Sequence, residues 1–161
     1  MKSTTKVLII LMALLLLLTS ACKANISRNK DGSLTVETTI SQQELQNAIT
    51  AAIADPLVKN ITVSLQTGYI SVSGERQRLN DAGKMDTLGF RLDLTASNGQ
   101  LTSSISNAQL DGKPLEQSRI DNWNQTLANR LSKIGQKNPN STIQSVSITS
   151  QAVTMTWNVT K

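Results

Sequence analysis

The chain of 161 residues contains no histidine and a single cysteine, and these two shortages exclude several classes of function. Without histidine, the sequence lacks the usual general base near neutral pH and the commonest transition-metal ligand. One cysteine cannot close an intramolecular disulfide bond or build a thiolate zinc site. Histidine-dependent hydrolysis, zinc catalysis and zinc fingers are therefore excluded, whereas catalysis by carboxylates or by serine and lysine remains open.

Aromatic residues are also scarce, and the excess of positive charge is small. Aromatics make up 2% of the chain, and the formal net charge is +5. Nucleic-acid-binding surfaces combine clustered basic residues with stacking aromatics, so no nucleic-acid partner is expected. The sequence also lacks a glycine-rich phosphate loop and any catalytic spacing of carboxylates. We therefore expect no enzyme activity, no cofactor and no metal site.

The first 22 residues have the layout of a secretory signal. Lys2 and Lys6 form a basic start, residues 7–18 are all apolar, and the small residues 19–21 precede Cys22. This apolar run is too short for a stable membrane span, which needs about 20 residues. We therefore expect residues 1–21 to be removed as a signal peptide, which lowers the formal net charge from +5 to +3.

The segment Leu18-Thr19-Ser20-Ala21-Cys22 resembles the lipobox of bacterial lipoproteins. In that family the cysteine becomes the mature N-terminus and carries a diacylglycerol on its sulfur. The resemblance implies a protein outside the cytoplasm, anchored to the bacterial membrane by palmitate or similar acyl chains on Cys22. Thr19 departs from the family pattern, in which an aliphatic residue is usual. Cleavage by ordinary signal peptidase, which would leave Cys22 unmodified, therefore stays open as the alternative.

The mature chain divides into a short polar start and one folded domain. Residues 22–33 lack apolar periodicity and are predicted to be a tether, and residues 34–161 are predicted to form a single α+β domain. Seven segments alternate apolar and polar residues, which is typical of strands. These predicted strands are residues 34–40, 61–65, 70–72, 88–94, 101–110, 146–148 and 153–159.

Two further features of the mature chain predict local structure. Residues 74–87 are polar and contain two glycines, so they are predicted to be a long exposed loop. In the segment 101–110 the apolar residues change parity between Ile105 and Ala108. An extra residue in one strand produces such a change, so a β-bulge is expected there.

Two segments have apolar residues at helical spacing, which predicts two amphipathic helices. Their stripes are Leu45, Ala48, Ile49, Ala52 and Ile53 in the first, and Ile120, Trp123, Leu127, Leu131 and Ile134 in the second. Ser41 and Glu44 have the spacing of a capping box, and Ser118 is predicted to cap the second helix. The predicted fold is a curved antiparallel sheet of about seven strands packed on two amphipathic helices.

The apolar faces of these elements form the candidate ligand site. Two helices cannot easily cover both ends of a long curved sheet, and a gap would be a hydrophobic groove suited to an acyl chain. Helices that pack tightly would instead leave a closed core with no groove, which the pattern alone favours. The residues predicted to line the groove are Leu45, Ile49, Ile53, Phe90, Trp123, Leu127, Leu131 and Trp157. Arg130 and Lys133 are candidates for binding a lipid headgroup, although complementing the helix dipole also explains them.

The order of the segments resembles the LmeA-type family of bacterial envelope phospholipid-binding proteins, which is related in style to TULIP and BPI-like domains. The resemblance runs from about Ser41 to Thr160. It rests on T-V-S-L-Q-T-G-Y-I-S-V-S-G-E at 62–75, A-Q-L-D-G-K-P-L at 108–115, the basic amphipathic helix, and I-Q-S-V-S-I at 143–148. It implies a curved antiparallel sheet wrapped around long helices, with acyl chains held between them.

The sequence thus predicts a membrane-anchored, non-catalytic lipoprotein of the bacterial cell envelope that binds a phospholipid or another amphiphile. The alternative is a structural or protein-interaction lipoprotein with a solid core and no ligand. An internal cavity between helices and sheet favours the first function, and a filled core favours the second.

Overall fold

The computed structural model describes residues 24–136 and 138–160. The predicted signal peptide, residues 1–21, and the predicted lipid-attachment residue Cys22 lie outside this part of the chain. The elements of the described residues are β1 (Ala24–Arg28), β2 (Leu34–Ile40), α1 (Gln42–Ile53), β3 (Val58–Gln66), β4 (Tyr69–Gln77), β5 (Met85–Ser97), β6 (Gln100–Leu110), β7 (Lys113–Pro114), α2 (Gln117–Gly135), β8 (Ser141–Ile148) and β9 (Val153–Val159). Neither of these two helices is long and apolar enough to cross a membrane.

The strands form two antiparallel sheets, which corrects the prediction of one sheet with about seven strands. The first sheet has the order β1-β2-β9-β8, and the second has the order β3-β4-β5-β6-β7. Two hairpin turns of the second sheet end against β8. The Gly68 amide donates to the Ile148 carbonyl at 3.0 Å, and the Ile143 amide donates to the Gly99 carbonyl at 3.1 Å. The α+β class is confirmed. Alternation along a strand shows which face of the strand is buried, but it does not show which strands are neighbours, so the division into two sheets was not predictable.

The folded domain begins earlier than the sequence predicts. Residues 24–28, expected to belong to a tether over 22–33, pair with β2 along their whole length. The chain reverses between the two strands with Gly32 at a φ of 85°. The tether prediction failed here because Ile26 is the only large apolar residue in β1, so the strand has no visible alternation.

Half of the polar stretch 74–87 is strand, which corrects the prediction of a long exposed loop over all of it. β4 continues to Gln77 and β5 begins at Met85, so the loop is confined to residues 78–84. Gly74 stands at a buried position of β4, where a Cβ atom would come within 2.9 Å of the Ile61 side chain. The alternation is hidden because the position that faces the core holds a glycine instead of an apolar side chain.

The predicted β-bulge in the segment 101–110 is confirmed. The pairing of β5 with β6 changes register between Gly89 and Arg91, where β6 contributes one residue more than β5. Asn107 lies in this extra stretch with a φ of 52°. The bulge returns both Ile105 and Ala108 to the buried face of the sheet.

The two helices begin in different ways. At α1 the predicted capping box is present, since the Ser41 hydroxyl accepts from the Glu44 amide at 3.3 Å and the Glu44 carboxylate accepts from the Ser41 amide at 2.9 Å. The second helix begins after Glu116, which makes no side-chain capping hydrogen bond, and not after Ser118 as predicted. Ser118 therefore lies within the first turn of α2 and not at its cap.

Both predicted apolar stripes face one core between the helices and the two sheets. All five stripe residues of α1 are buried. In α2, Trp123, Leu127 and Leu131 are buried, while Ile120 and Ile134 pack against the edge of the same cluster. The helices run antiparallel, because Glu44 near the start of α1 lies beside Lys133 near the end of α2, while Asp55 after the end of α1 interacts with Arg119 near the start of α2.

Candidate functional site

The eight residues predicted to line a lipid groove all belong to one buried hydrophobic cluster. Their exposed fractions range from 0% at Leu45, Ile49, Leu127 and Leu131 to 6% at Ile53. The rings of Phe90 and Trp123 lie 5.8 Å apart between centroids, tilted by 40°, an arrangement usual for packed aromatic pairs. The predicted residues therefore lie together, and each of them packs against other side chains of the protein.

One of these residues, Trp157, also lines a surface pocket of about 450 Å³. The other walls of this pocket are almost entirely neutral and polar, and include Asn129, Ser132 and Gln136 from α2. The indole is itself only 3% exposed. This pocket is therefore unsuited to an acyl chain, which needs apolar walls.

The two predicted headgroup residues lie at a different place, on the outer side of the helix pair. Arg130 and Lys133 line an open pocket of about 460 Å³ between α1 and α2, here called the helix groove. Its remaining wall residues are Glu44, Asn47, Ala48, Ala51 and Ile134. Neither Arg130 nor Lys133 forms an ion pair within the described part of the chain. The groove combines small apolar residues with two cations on one rim.

A second charged site, not predicted as such, lies where α1 ends and α2 begins. A pocket of about 420 Å³ there, called the charged pole, is lined by Arg76, Arg78, Asp86, Leu110, Asp111, Lys113, Pro114, Leu115, Glu116 and Arg119. These residues come from β4 and the loop after it, from β5, and from the chain between β6 and α2. Sequence spacing could not group them, because the register of the second sheet is what brings them together.

Ion pairs tie two of the arginines at the charged pole to carboxylates. The Arg76 Nε lies 2.9 Å from Asp55, and Arg78 contacts both Asp86, at 2.5 Å, and Asp111, at 3.0 Å. Burial raises the pKa of the Asp55 carboxyl, but hydrogen bonds from Arg76 and the Leu57 amide outweigh it, so this pKa is lowered. The hydrogen bond to Asp86 raises the pKa of Arg78.

Two other cations of the charged pole form no direct ion pair, although Arg119 is near enough to Asp55 to help lower the pKa of that carboxyl. The side chains of Lys113 and Arg119 form no ion pair and no side-chain hydrogen bond among residues 24–136 and 138–160. Both residues are exposed. Lys113 and Arg119 are therefore the residues of the charged pole that are available to form an ion pair with a carboxylate of another molecule.

Asp93, which stands among the apolar residues of β5, is a poor candidate for a general acid. Asp93 accepts a hydrogen bond of 2.8 Å from the Arg91 Nε, which lowers the pKa of this carboxyl. General acids require the opposite shift, a raised pKa. Within the described ranges, no group of three or more potential metal-ligating residues occurs.

No protein-family model, no curated protein and no solved structure matches the chain. The resemblance to the LmeA-type family therefore stays a prediction.

Proposed function

We propose that the protein is a non-catalytic lipoprotein of the bacterial cell envelope that binds a partner protein with its surface and keeps a solid core. The observation that carries this proposal is the packing of the eight predicted groove residues, which are at most 6% exposed and belong to one cluster. Side chains that already fill the space between helices and sheets favour an interaction protein over a carrier that holds an acyl chain there.

The position of the predicted anchor gives the molecule an orientation. β1 begins two residues after Cys22, a distance of at most about 7 Å for an extended chain. If Cys22 carries acyl chains, the first sheet lies near the membrane. α2 has 19 residues and a length of about 28 Å, and it runs from the charged pole to the first sheet. The charged pole would then face away from the membrane, where a partner protein can reach it.

The chemistry of the charged pole suits an acidic segment of the partner. Lys113 and Arg119 are exposed cations without an ion pair among the described residues, whereas Arg76 and Arg78 already hold carboxylates. Carboxylates of the partner would pair with Lys113 and Arg119. Complementary charges of this kind chiefly set the specificity and the rate of association.

Membrane attachment is tested by fractionating cells that express the wild-type chain or Cys22→Ser. We expect the wild-type protein in the membrane fraction, and the variant either released or retained as an unprocessed precursor. Native mass spectrometry of the wild-type protein should then give the mass of the acylated chain alone. Unchanged processing and attachment of Cys22→Ser contradicts the anchor, and a co-purified stoichiometric lipid contradicts the solid core.

The docking surface is tested by replacing Lys113 with a photo-crosslinking residue in cells. We expect one crosslinked product that Arg119→Glu weakens strongly, because the reversed charge repels an acidic partner. The same crosslinker at Gln144, an exposed position of β8 on the first sheet, is the matched control and should give no such product. A product that is insensitive to Arg119→Glu, or equal at both positions, contradicts the assignment.

The helix groove supports a second candidate function, the binding of an anionic amphiphile. Arg130 and Lys133 would hold the headgroup, and Ala48, Ala51 and Ile134 would contact the apolar part. The test is calorimetric titration with a short-chain phosphatidylglycerol below its micelle concentration. We expect the pair Arg130→Gln and Lys133→Gln to abolish binding. The pair Lys59→Gln and Lys113→Gln removes equal charge elsewhere and should preserve it; equal losses contradict a groove site.

A further inference from the structure

The outer edge of β1 has little of the protection usual for an edge strand, since Arg28 is its only charged residue. β1 is the first strand in the order of its sheet, and among the described residues it pairs only with β2. Residues 25–28 are all exposed, and the pairing with β2 has no bulge. Natural edge strands are commonly protected by proline, lysine, bulges or a covering element, because unpaired backbone groups attract another strand. The sequence A-N-I-S-R contains neither proline nor lysine.

Besides its backbone groups, this edge presents the exposed apolar side chain of Ile26. Facing residues in an antiparallel sheet share one side, and the pairing places Ile143, Trp157, Val36 and Ile26 in a single row across β8, β9, β2 and β1. The exposed fractions along this row are 2%, 3%, 9% and 67%. The row therefore starts in the core and ends, at Ile26, in an uncovered apolar side chain.

We propose that β1 pairs in antiparallel fashion with β1 of a second copy of the chain, with the two Ile26 residues facing each other. A two-fold axis through this pair makes the contact self-complementary, so that one surface serves both copies. The apolar row then continues from one first sheet into the other, and each Ile26 is covered by its equivalent. The two four-stranded sheets join into one sheet of eight strands.

The charges and the spacing of β1 favour this occupant and this register. Centring the pair on Ile26 uses all five residues of the strand and sets Ala24 of one copy opposite Arg28 of the other. The two Arg28 side chains are thereby kept apart, whereas like charges directly opposite each other would destabilise the pair. This pairing does not depend on the anchor at Cys22, and it leaves the charged pole of each copy open.

The register is tested by disulfide trapping in the purified full chain under a mild oxidant. In the proposed pair the two residues at position 26 have Cα atoms about 4.5–5.5 Å apart, which a disulfide can bridge. Ile26→Cys should therefore form a covalent dimer many-fold faster than Leu79→Cys, a matched control whose parent residue is 77% exposed at the far loop. Arg28→Cys should form no disulfide with its equivalent, because four residues separate the two positions by about 14 Å, so its dimerisation should match that of the wild-type chain. The wild-type chain, whose single cysteine is Cys22, is the control for disulfides that form through that residue.

The assembly itself is tested by analytical ultracentrifugation of the wild-type chain, Ile26→Lys and Leu79→Lys. We expect a dimer for the wild type and for Leu79→Lys, and a monomer of unchanged thermal stability for Ile26→Lys, because an edge lysine opposes pairing and Ile26 contributes little to the fold. A monomeric wild-type chain overturns the proposal. Equal trapping rates for Ile26→Cys and Leu79→Cys, or faster trapping for Arg28→Cys, also overturn it.

Discussion

The indole Nε1 of Trp157 donates a hydrogen bond of 2.9 Å to the hydroxyl of Thr38, which lies 119 positions earlier in the chain. Both residues are buried, with exposed fractions of 3% and 1%. Gly135 at the end of α2 packs onto the same place, where a Cβ atom would stand 2.9 Å from the Trp157 ring and 3.3 Å from the Thr38 hydroxyl. The bond joins β9 to β2 within the first sheet, and the end of α2 packs directly on it.

Removing the acceptor of this bond should destabilise the fold. Thr38→Val keeps the volume of the side chain but leaves the Trp157 N–H buried without a partner. We expect the free energy of unfolding to fall by about 1–3 kcal/mol, measured by urea denaturation followed through tryptophan fluorescence. Thr39→Val is the matched control, because Thr39 lies on the other face of β2 and should change stability by less than about 0.5 kcal/mol. Equal losses would show that the bond contributes nothing.

Gly135 should tolerate no larger side chain, although alanine normally stabilises a helix by about 1 kcal/mol relative to glycine. In Gly135→Ala the new Cβ would meet the Met155 sulfur at 2.8 Å as well as the Trp157 ring. We expect a net loss of about 1–3 kcal/mol, since overpacking a filled core outweighs the gain in propensity. Gly83→Ala, whose Cβ would meet nothing closer than 3.5 Å, should be near neutral in the same denaturation series. A stabilised Gly135→Ala would indicate a loose helix end.

Truncation of a core residue distinguishes a solid interior from a ligand-lined one. Leu127 is 0% exposed and stands at the centre of the α2 stripe. Leu127→Ala should lower the free energy of unfolding by about 2–5 kcal/mol, because packed neighbours cannot collapse into the cavity. Leu79→Ala, with a parent residue that is 77% exposed, should cost less than about 0.5 kcal/mol. A loss at Leu127 as small as that at Leu79 would favour a site lined for a ligand.

The parts of the fold that depend on local periodicity were predictable. The stripe of α1, the capping box at Ser41 and Glu44, and the bulge near Asn107 follow from residues close together in sequence, and all are present. Such features need only the repeat of a helix or strand and the preferences of a helix start. The burial of Trp123 and Trp157 likewise follows from their places on apolar faces.

The remaining features depend on pairing between distant strands, which periodicity does not encode. β1 was missed because Ile26 is its only large apolar residue, and the continuation of β4 was missed because Gly74 occupies a core position. The charged pole requires the register of three strands, β4, β5 and β6, to bring Arg78 to 3.0 Å from Asp111. The periodicity of single strands and helices cannot predict that contact.

The ion pair of Asp55 with Arg76 should make the stability of the fold depend on pH in the acid range. Its 2.9 Å contact is largely shielded, with side-chain exposures of 18% for Asp55 and 19% for Arg76. The pKa of the folded Asp55 carboxyl lies below the ordinary value of 3.8, so this group stabilises the fold above about pH 4 and loses that effect as the pH falls through the folded value. Asp55→Asn should cost about 1–3 kcal/mol at neutral pH and flatten the fall of the urea midpoint under acid. In an Arg76→Gln background the same change should have little effect, and an undiminished effect there would assign the stabilisation to the Leu57 amide instead.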